Sequence, residues 1–283
     1  MDSCSPSGGA VGRERSAEDE KDQSVWSLAE AMQKQILQIG SSACGATAVV
    51  NILQALGFDI PSDVVDRCVQ TRLRKNDAPL AEYLMSRCVA GATHQQLIEG
   101  AEKASEGRVV GRFFSFYPER SVELTSWLAS WMRKGAVPVV TMNMQVAVPE
   151  GKEIPDAWHH QMIFGVGAEG IYMTNPLEIE ESSLVKRRLC SESLLLVRRQ
   201  DVLSRLSDGS DFSMFTRLPD HSLWEQLDVV GQIERIVSSD VPGEVPDHVV
   251  IPAAYRSGVT MFTLRHSELT NELLSASELP LLY

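Results

Sequence analysis

Apolar residues recur along the chain with two periods, helical in the first hundred residues and strand-like after them. Between 25 and 37 a weak helical run is carried by Trp26, Leu28, Met32 and Ile36. Val49, Ile52, Leu53 and Leu56 then recur at helical spacing, with Ala46, Ala48 and Val50 thickening the stripe and Gly57 as a stop signal. That pattern predicts a buried helix opening near Cys44. Two more helical runs follow, one with Val64, Val65, Cys68, Val69 and Leu73 and one with Leu80, Tyr83, Leu84 and Cys88, which puts Cys68 and Cys88 at core-like positions. Thr93 and Gln96 have the spacing of a capping box, predicting a helix through about Ala104 with His94 solvated in its first turn.

From Val109 the pattern changes. Val109 to Tyr117 and Val137 to Met144 read as strands, with Pro138 tolerable near the start of the second. Between them Leu124, Trp127, Leu128, Trp131 and Met132 form an amphipathic helix ending at Gly135, its two tryptophans read as core. Residues 158–167 and 170–175 read as two strands joined by a turn around Ala168-Glu169-Gly170. An acidic stretch at 178–181, a strand at 194–197 and a helix at 201–206 close this part, which predicts an α+β fold with a helical lobe and a sheet lobe over residues 23–206. Residues 1–22 carry no periodic apolar positions and are expected to be a disordered tail. Ser207 to Asp211 reads as a linker. The remainder of 207–283 holds a helix near 223–237 and strands at 249–251 and 259–264, either a small accessory unit or additions packed on the sheet.

Composition narrows the function. With 26 basic and 38 acidic residues the net charge is −12, which argues against nucleic acid or an anionic membrane as partner and favours a basic or neutral substrate. The five cysteines, Cys4, Cys44, Cys68, Cys88 and Cys190, are odd in number, widely spaced and without a Cys-x-x-Cys pair. Neither a zinc site nor a disulfide framework is suggested, and no cofactor is expected. No leader-like or membrane-spanning apolar run is present, so the expectation is a soluble, cytoplasmic protein.

The candidate chemistry begins at Cys44. A cysteine at a helix N-terminus lies in the positive end of the macrodipole among unpaired N–H groups, and both favour thiolate. Gly45 would leave the neighbouring backbone uncovered, and Gln38, six residues upstream, could bring an amide donor to the same point as an oxyanion hole. A cysteine in an apolar helix is also ordinary packing material. The second constellation is Trp158-His159-His160, ahead of a strand pair that ends at Asn175-Pro176. Successive side chains on a strand point to opposite faces, so only one of the two histidines can serve Cys44.

The stretch Gln38…Ser42-Ala43-Cys44-Gly45 resembles the nucleophile segment of papain-like cysteine peptidases, above all the C39-like branch that includes bacteriocin-processing and phytochelatin-synthase-type enzymes. The resemblance implies a papain-like α+β fold, a buried nucleophile helix packed on an antiparallel sheet lobe. It also implies roles: Cys44 as nucleophile, Gln38 as oxyanion donor, a histidine as general acid/base and Asn175 as the group that orients it. His159 is favoured as the base because Gly165 falls six residues after it, as in the resembling families; a shift of one residue in register would give His160 instead. The implied reaction is hydrolysis of a peptide or isopeptide bond through a thioester, on a protein or peptide substrate. Acyl transfer to an amine by the same site and a catalytically silent binding scaffold are the alternatives.

Overall fold

The computed structural model describes residues 22–282, apart from 156, 208 and 239–245. The tail expected over 1–22 therefore lies outside the described residues except for Asp22. A two-residue strand β1 (Gln23–Ser24) leads to α1 (Leu28–Lys34), opened by a Ser27/Glu30 capping box. The expected apolar stripe of this segment is not a core face: Trp26 is buried, whereas Leu28 and Met32 are exposed. Three helices follow, α2 (Cys44–Ala55), α3 (Ser62–Val69) and α4 (Leu80–Val89). Gln70 takes a left-handed conformation that ends α3, so Leu73 falls outside it and is exposed. The helix α5 (His94–Ala104) has the expected Thr93/Gln96 capping box. His94 is not solvated, because its ring stacks on Phe113 with centroids 3.9 Å apart.

The sheet begins with β2 (Val109–Ser115), crosses over through α6 (Leu124–Arg133), and continues with β3 (Val137–Asn143), β4 (Trp158–Gly167), β5 (Gly170–Met173) and β6 (Glu178–Glu180). The chain then runs through α7 (Ser182–Leu189), β7 (Leu194–Arg198) and α8 (Arg199–Leu203), and through α9 (His221–Gln226) and α10 (Val229–Ser238). It closes with β8 (His248–Pro252), β9 (Gly258–Leu264) and α11 (Leu269–Ser275).

The large sheet is antiparallel, in the order β2-β9-β3-β4-β5-β6, with β1 paired to β4; β7 and β8 form a separate ribbon. This order does not follow a division near residue 206. β9 lies between β2 and β3, so the last part of the chain supplies an interior strand of the sheet, and β8 completes the ribbon with β7. The alternating side chains of the sheet supply two cores. Val139, Met162, Phe164 and Phe262 pack with α2, α3 and α5, while Val140, Met142, Ile163 and Met261 pack with α6, α7 and α11. All seven residues of β3 are buried, as a strand covered on both faces requires. Trp127 and Trp131 pack against Phe114 in the second core, as the sequence pattern led one to expect. A third core joins α4 to the ribbon, α9 and α10. The fold is thus mixed α+β, with α2 laid against β4 so that its first residue meets the start of that strand.

Candidate active site

The chain reaches Cys44 through a bend in which Ser42 takes a left-handed φ of 57° and the Ala43 N–H donates to the Gly40 carbonyl at 3.2 Å. Ala43 has no side chain to cap α2. The first-turn N–H groups are thus left to act on whatever occupies the Cys44 position. Two polar residues inside the helix hold this approach in place. Asn51 accepts from the Ile36 N–H at 2.8 Å and donates to the Ile36 carbonyl at 3.0 Å, and Thr47 accepts from the Ile39 N–H at 3.2 Å. Both side chains are fully buried, and together they bracket Gln38.

Gly45 is needed for packing, which differs from the uncovered backbone expected from sequence. A Cβ there would lie 2.8 Å from Leu97 Cδ2, 3.2 Å from Ala92 Cβ and 3.3 Å from His160 Cδ2. Only glycine lets α2 approach α5 and β4 this closely.

The two histidines separate as the strand period requires. His160 is buried: its Nε2–H donates to the Ala92 carbonyl at 2.9 Å, so Nδ1 accepts from the Thr141 hydroxyl at 3.0 Å. With both nitrogens engaged away from the thiol, His160 does not fit the alternative of a base. Burial is the main cause that lowers its pKa, to about 4, with the neighbouring His159 and His94 adding to the effect and the Ala92 carbonyl opposing it. His159 turns to the cavity that Cys44 also lines, and each of the two side chains acts on the ionisation of the other. The His159 Nε2–H donates to the backbone carbonyl of Asn175 at 2.7 Å, which leaves Nδ1 as the acceptor of the neutral ring.

Asn175 therefore meets His159 through its main chain. The side-chain amide expected to orient the ring does not do so, and its Nδ2 is buried with no hydrogen-bond partner among the described residues. Asn175 sits at φ 56°, and its own N–H donates to Gln35 Oε1 at 3.2 Å. Behind this contact Gln161, two residues along the strand from His159, donates to Glu178 Oε1 at 2.7 Å.

Electrostatically, Cys44 and His159 are poised as a pair. Burial raises the Cys44 thiol, but the hydrogen bond and charge of His159, with the backbone N–H groups of His160 and Gly45, outweigh it and bring the thiol below its ordinary value. Burial lowers His159, and the bond and charge of Cys44, the Asn175 carbonyl and the Glu178 carboxylate outweigh that and raise it. Such a pair favours thiolate and imidazolium together.

Gln38 lines the same cavity as Cys44 and His159. Its amide donates one N–H to the Gly40 carbonyl at 3.0 Å, leaving the other for an oxyanion. The cavity measures about 120 Å³ and is walled further by Trp158 and by Arg74, Arg87, Leu195 and Tyr255, for which the sequence pattern suggested no role at the site. Among the described residues no group of three His, Cys, Asp or Glu has a geometry that could hold a metal ion. No described helix is long and apolar enough to cross a membrane.

Neither a family model nor a curated protein matches the chain. Solved structures do match. A crystal structure from Bacillus anthracis, provisionally named a C39-like peptidase, aligns over 53% of this chain and 82% of its own length, at 16% identity and a TM-score of 0.33.

Proposed function

We propose that the protein is a papain-like thiol hydrolase that cleaves a peptide or isopeptide bond through a thioester on Cys44. The observation that carries the reading is that Cys44, at the N-terminus of α2, shares one small cavity with His159, whose Nε2 is tied to a backbone carbonyl and whose charge acts on the thiol. His159 is the general acid/base. Its Nδ1 accepts the thiol proton, the thiolate attacks the scissile carbonyl carbon, and the proton is returned to the leaving amine. Water, deprotonated by His159, then attacks the thioester and restores the thiol. The free N–H of Gln38 and the backbone N–H of Cys44 stabilise the oxyanion. The Asn175 carbonyl keeps the ring in the right tautomer, and the Glu178 carboxylate favours the imidazolium.

The test is cleavage of a complex mixture of peptides by the wild type and by Cys44→Ala, read as new termini by mass spectrometry. The reading expects termini that the wild type produces and Cys44→Ala does not. Acylated amines in place of new acids would assign the same site to acyl transfer. Identical products from both proteins would leave a binding scaffold as the better account.

A further inference from the structure

Gln161 is a buried amide that takes no part in the steps of acyl transfer. It follows His159 by two positions on β4, so the two side chains leave the same face of the strand. Gln161 is fully buried, and its Nε2 donates to the Thr174 carbonyl at 3.2 Å and to Glu178 Oε1 at 2.7 Å. Both N–H groups are thus engaged, while Oε1 has no partner among the described residues. The amide has one orientation only, because turning it over would set its oxygen against a carbonyl and a carboxylate. A buried oxygen left without a donor costs stability, so the position asks for a role beyond packing.

The two acceptors bear on His159 from different sides. Thr174 precedes Asn175, whose carbonyl takes the His159 Nε2–H, in the turn between β5 and β6. That turn is gripped twice, by Gln161 at the Thr174 carbonyl and by Gln35 at the Asn175 N–H. Asn175 is left-handed at φ 56°, a conformation that its surroundings must fix. Glu178, half-buried, opens β6, and its charge raises His159. Among the described residues, the other ionisable groups about the ring are Cys44 from α2, neutral His160 on β4, and Arg74, Arg87 and Tyr255, which line the same cavity.

We propose that Gln161 is a positioning residue for the Cys44–His159 pair, joining through one side chain the turn whose carbonyl fixes the His159 ring to the Glu178 carboxylate. Glu178 acts on the ring through its charge, and Gln161 sets where that charge stands. A glutamate at the edge of the sheet, released from this bond, turns to water, where its charge is screened. The inference rests on Cys44 and His159 being the reacting pair of the proposed function.

The test is the rate of Cys44 alkylation by iodoacetamide at about pH 6.5 divided by its rate at about pH 10, where ionising the thiol no longer needs the imidazolium. In each case the thiolate displaces iodide as the carbon–sulfur bond forms. Glu178→Gln keeps an acceptor for Gln161 but removes the charge, so the imidazolium is less favoured and the ratio should fall about two- to fivefold. Glu178→Asp, which keeps the charge, should recover part of it. Gln161→Asn, whose amide stops short of Glu178, and Gln161→Met, apolar and of similar length, should each lower the ratio, and in either background Glu178→Gln should change it little further. Glu178 is half-buried, so its variants test the carboxylate without disturbing the core. A ratio unchanged in Glu178→Gln, or effects of the two sites that simply multiply, overturns the inference alone. Alkylation of wild-type Cys44 at about pH 6.5 no faster than that of Cys190 overturns the thiol reading and the inference with it.

Discussion

Acid should unfold this protein in part through His160, and the size of that effect follows from its surroundings. The ring is buried, its Nε2–H bonded to Ala92 and its Nδ1 to Thr141, so the neutral form is complete as it stands. A proton on Nδ1 would displace the Thr141 bond and leave a charge in the core. The folded-state pKa is lowered to about 4 from an ordinary 6.5. Because the unfolded chain takes up this proton first, the contribution is fully present above about pH 6.5 and is lost as pH falls towards 4. That gap corresponds to about 3 kcal/mol, most of it gone by about pH 4.5. His94, lowered to about 4 by burial and by Arg256, loses stability over the same range, so the wild type alone does not isolate His160. The assay is urea unfolding from pH 7.5 to 4.5 for the wild type and for His160→Gln, which cannot titrate. The variant should start less stable but lose about 2–3 kcal/mol less across the range. Parallel stability curves for the two proteins would show that His160 is not the buried neutral histidine described here.

Asn51→Leu strips partners from both the N–H and the carbonyl of Ile36 and should cost about 2–4 kcal/mol in chemical denaturation; a cost below about 1 kcal/mol would mean that the segment carrying Gln38 is held by something else. For Gly45→Ala two effects compete: better helix propensity favours the variant by about 1 kcal/mol, and contacts with Ala92 and His160 oppose it by about 1–3 kcal/mol. The contacts should win, so the midpoint of thermal unfolding should fall, and a rise would contradict the close approach of α2 to β4.

The periodic parts of this fold are legible because they bury one face against a neighbour. The stripe from Val49 to Leu56, the capping box at Thr93 and the alternation through 158–167 each reflect a local rule. What depends on distant partners is not. β9 reads as a strand anywhere, but its place between β2 and β3 is decided by pairing with residues more than a hundred positions away. Asn175 was expected to meet the histidine through its side chain, but sequence names a side chain and cannot show that the main-chain carbonyl meets His159. Asn51 and Thr47 look like polar interruptions of an apolar helix until their backbone partners are known. One signal was present but went unused: Arg87 falls at helical spacing with Leu80, Tyr83, Leu84 and Cys88, where a buried charge asks for an explanation. Tyr255 had no such signal, because it reaches the cavity from the far end of the chain.

The central claim is that His159 makes Cys44 a thiolate below the ordinary thiol range, and the rate of Cys44 alkylation by iodoacetamide against pH, in the wild type and in His159→Ala, tests it most directly. In the wild type the reaction should persist at mildly acidic pH, where an ordinary thiol is ionised to only about 1% near pH 6.5, and should fall off only below the depressed pKa. Cys88, pushed up to about 12 by burial and Asp220, and Cys190, raised by burial and Glu119, should stay unmodified there. Removing the imidazole leaves burial as the main influence on Cys44, so in His159→Ala the profile should move to alkaline pH, with a rate near pH 6.5 lower by about tenfold or more. Superimposable profiles for the two proteins would contradict the account.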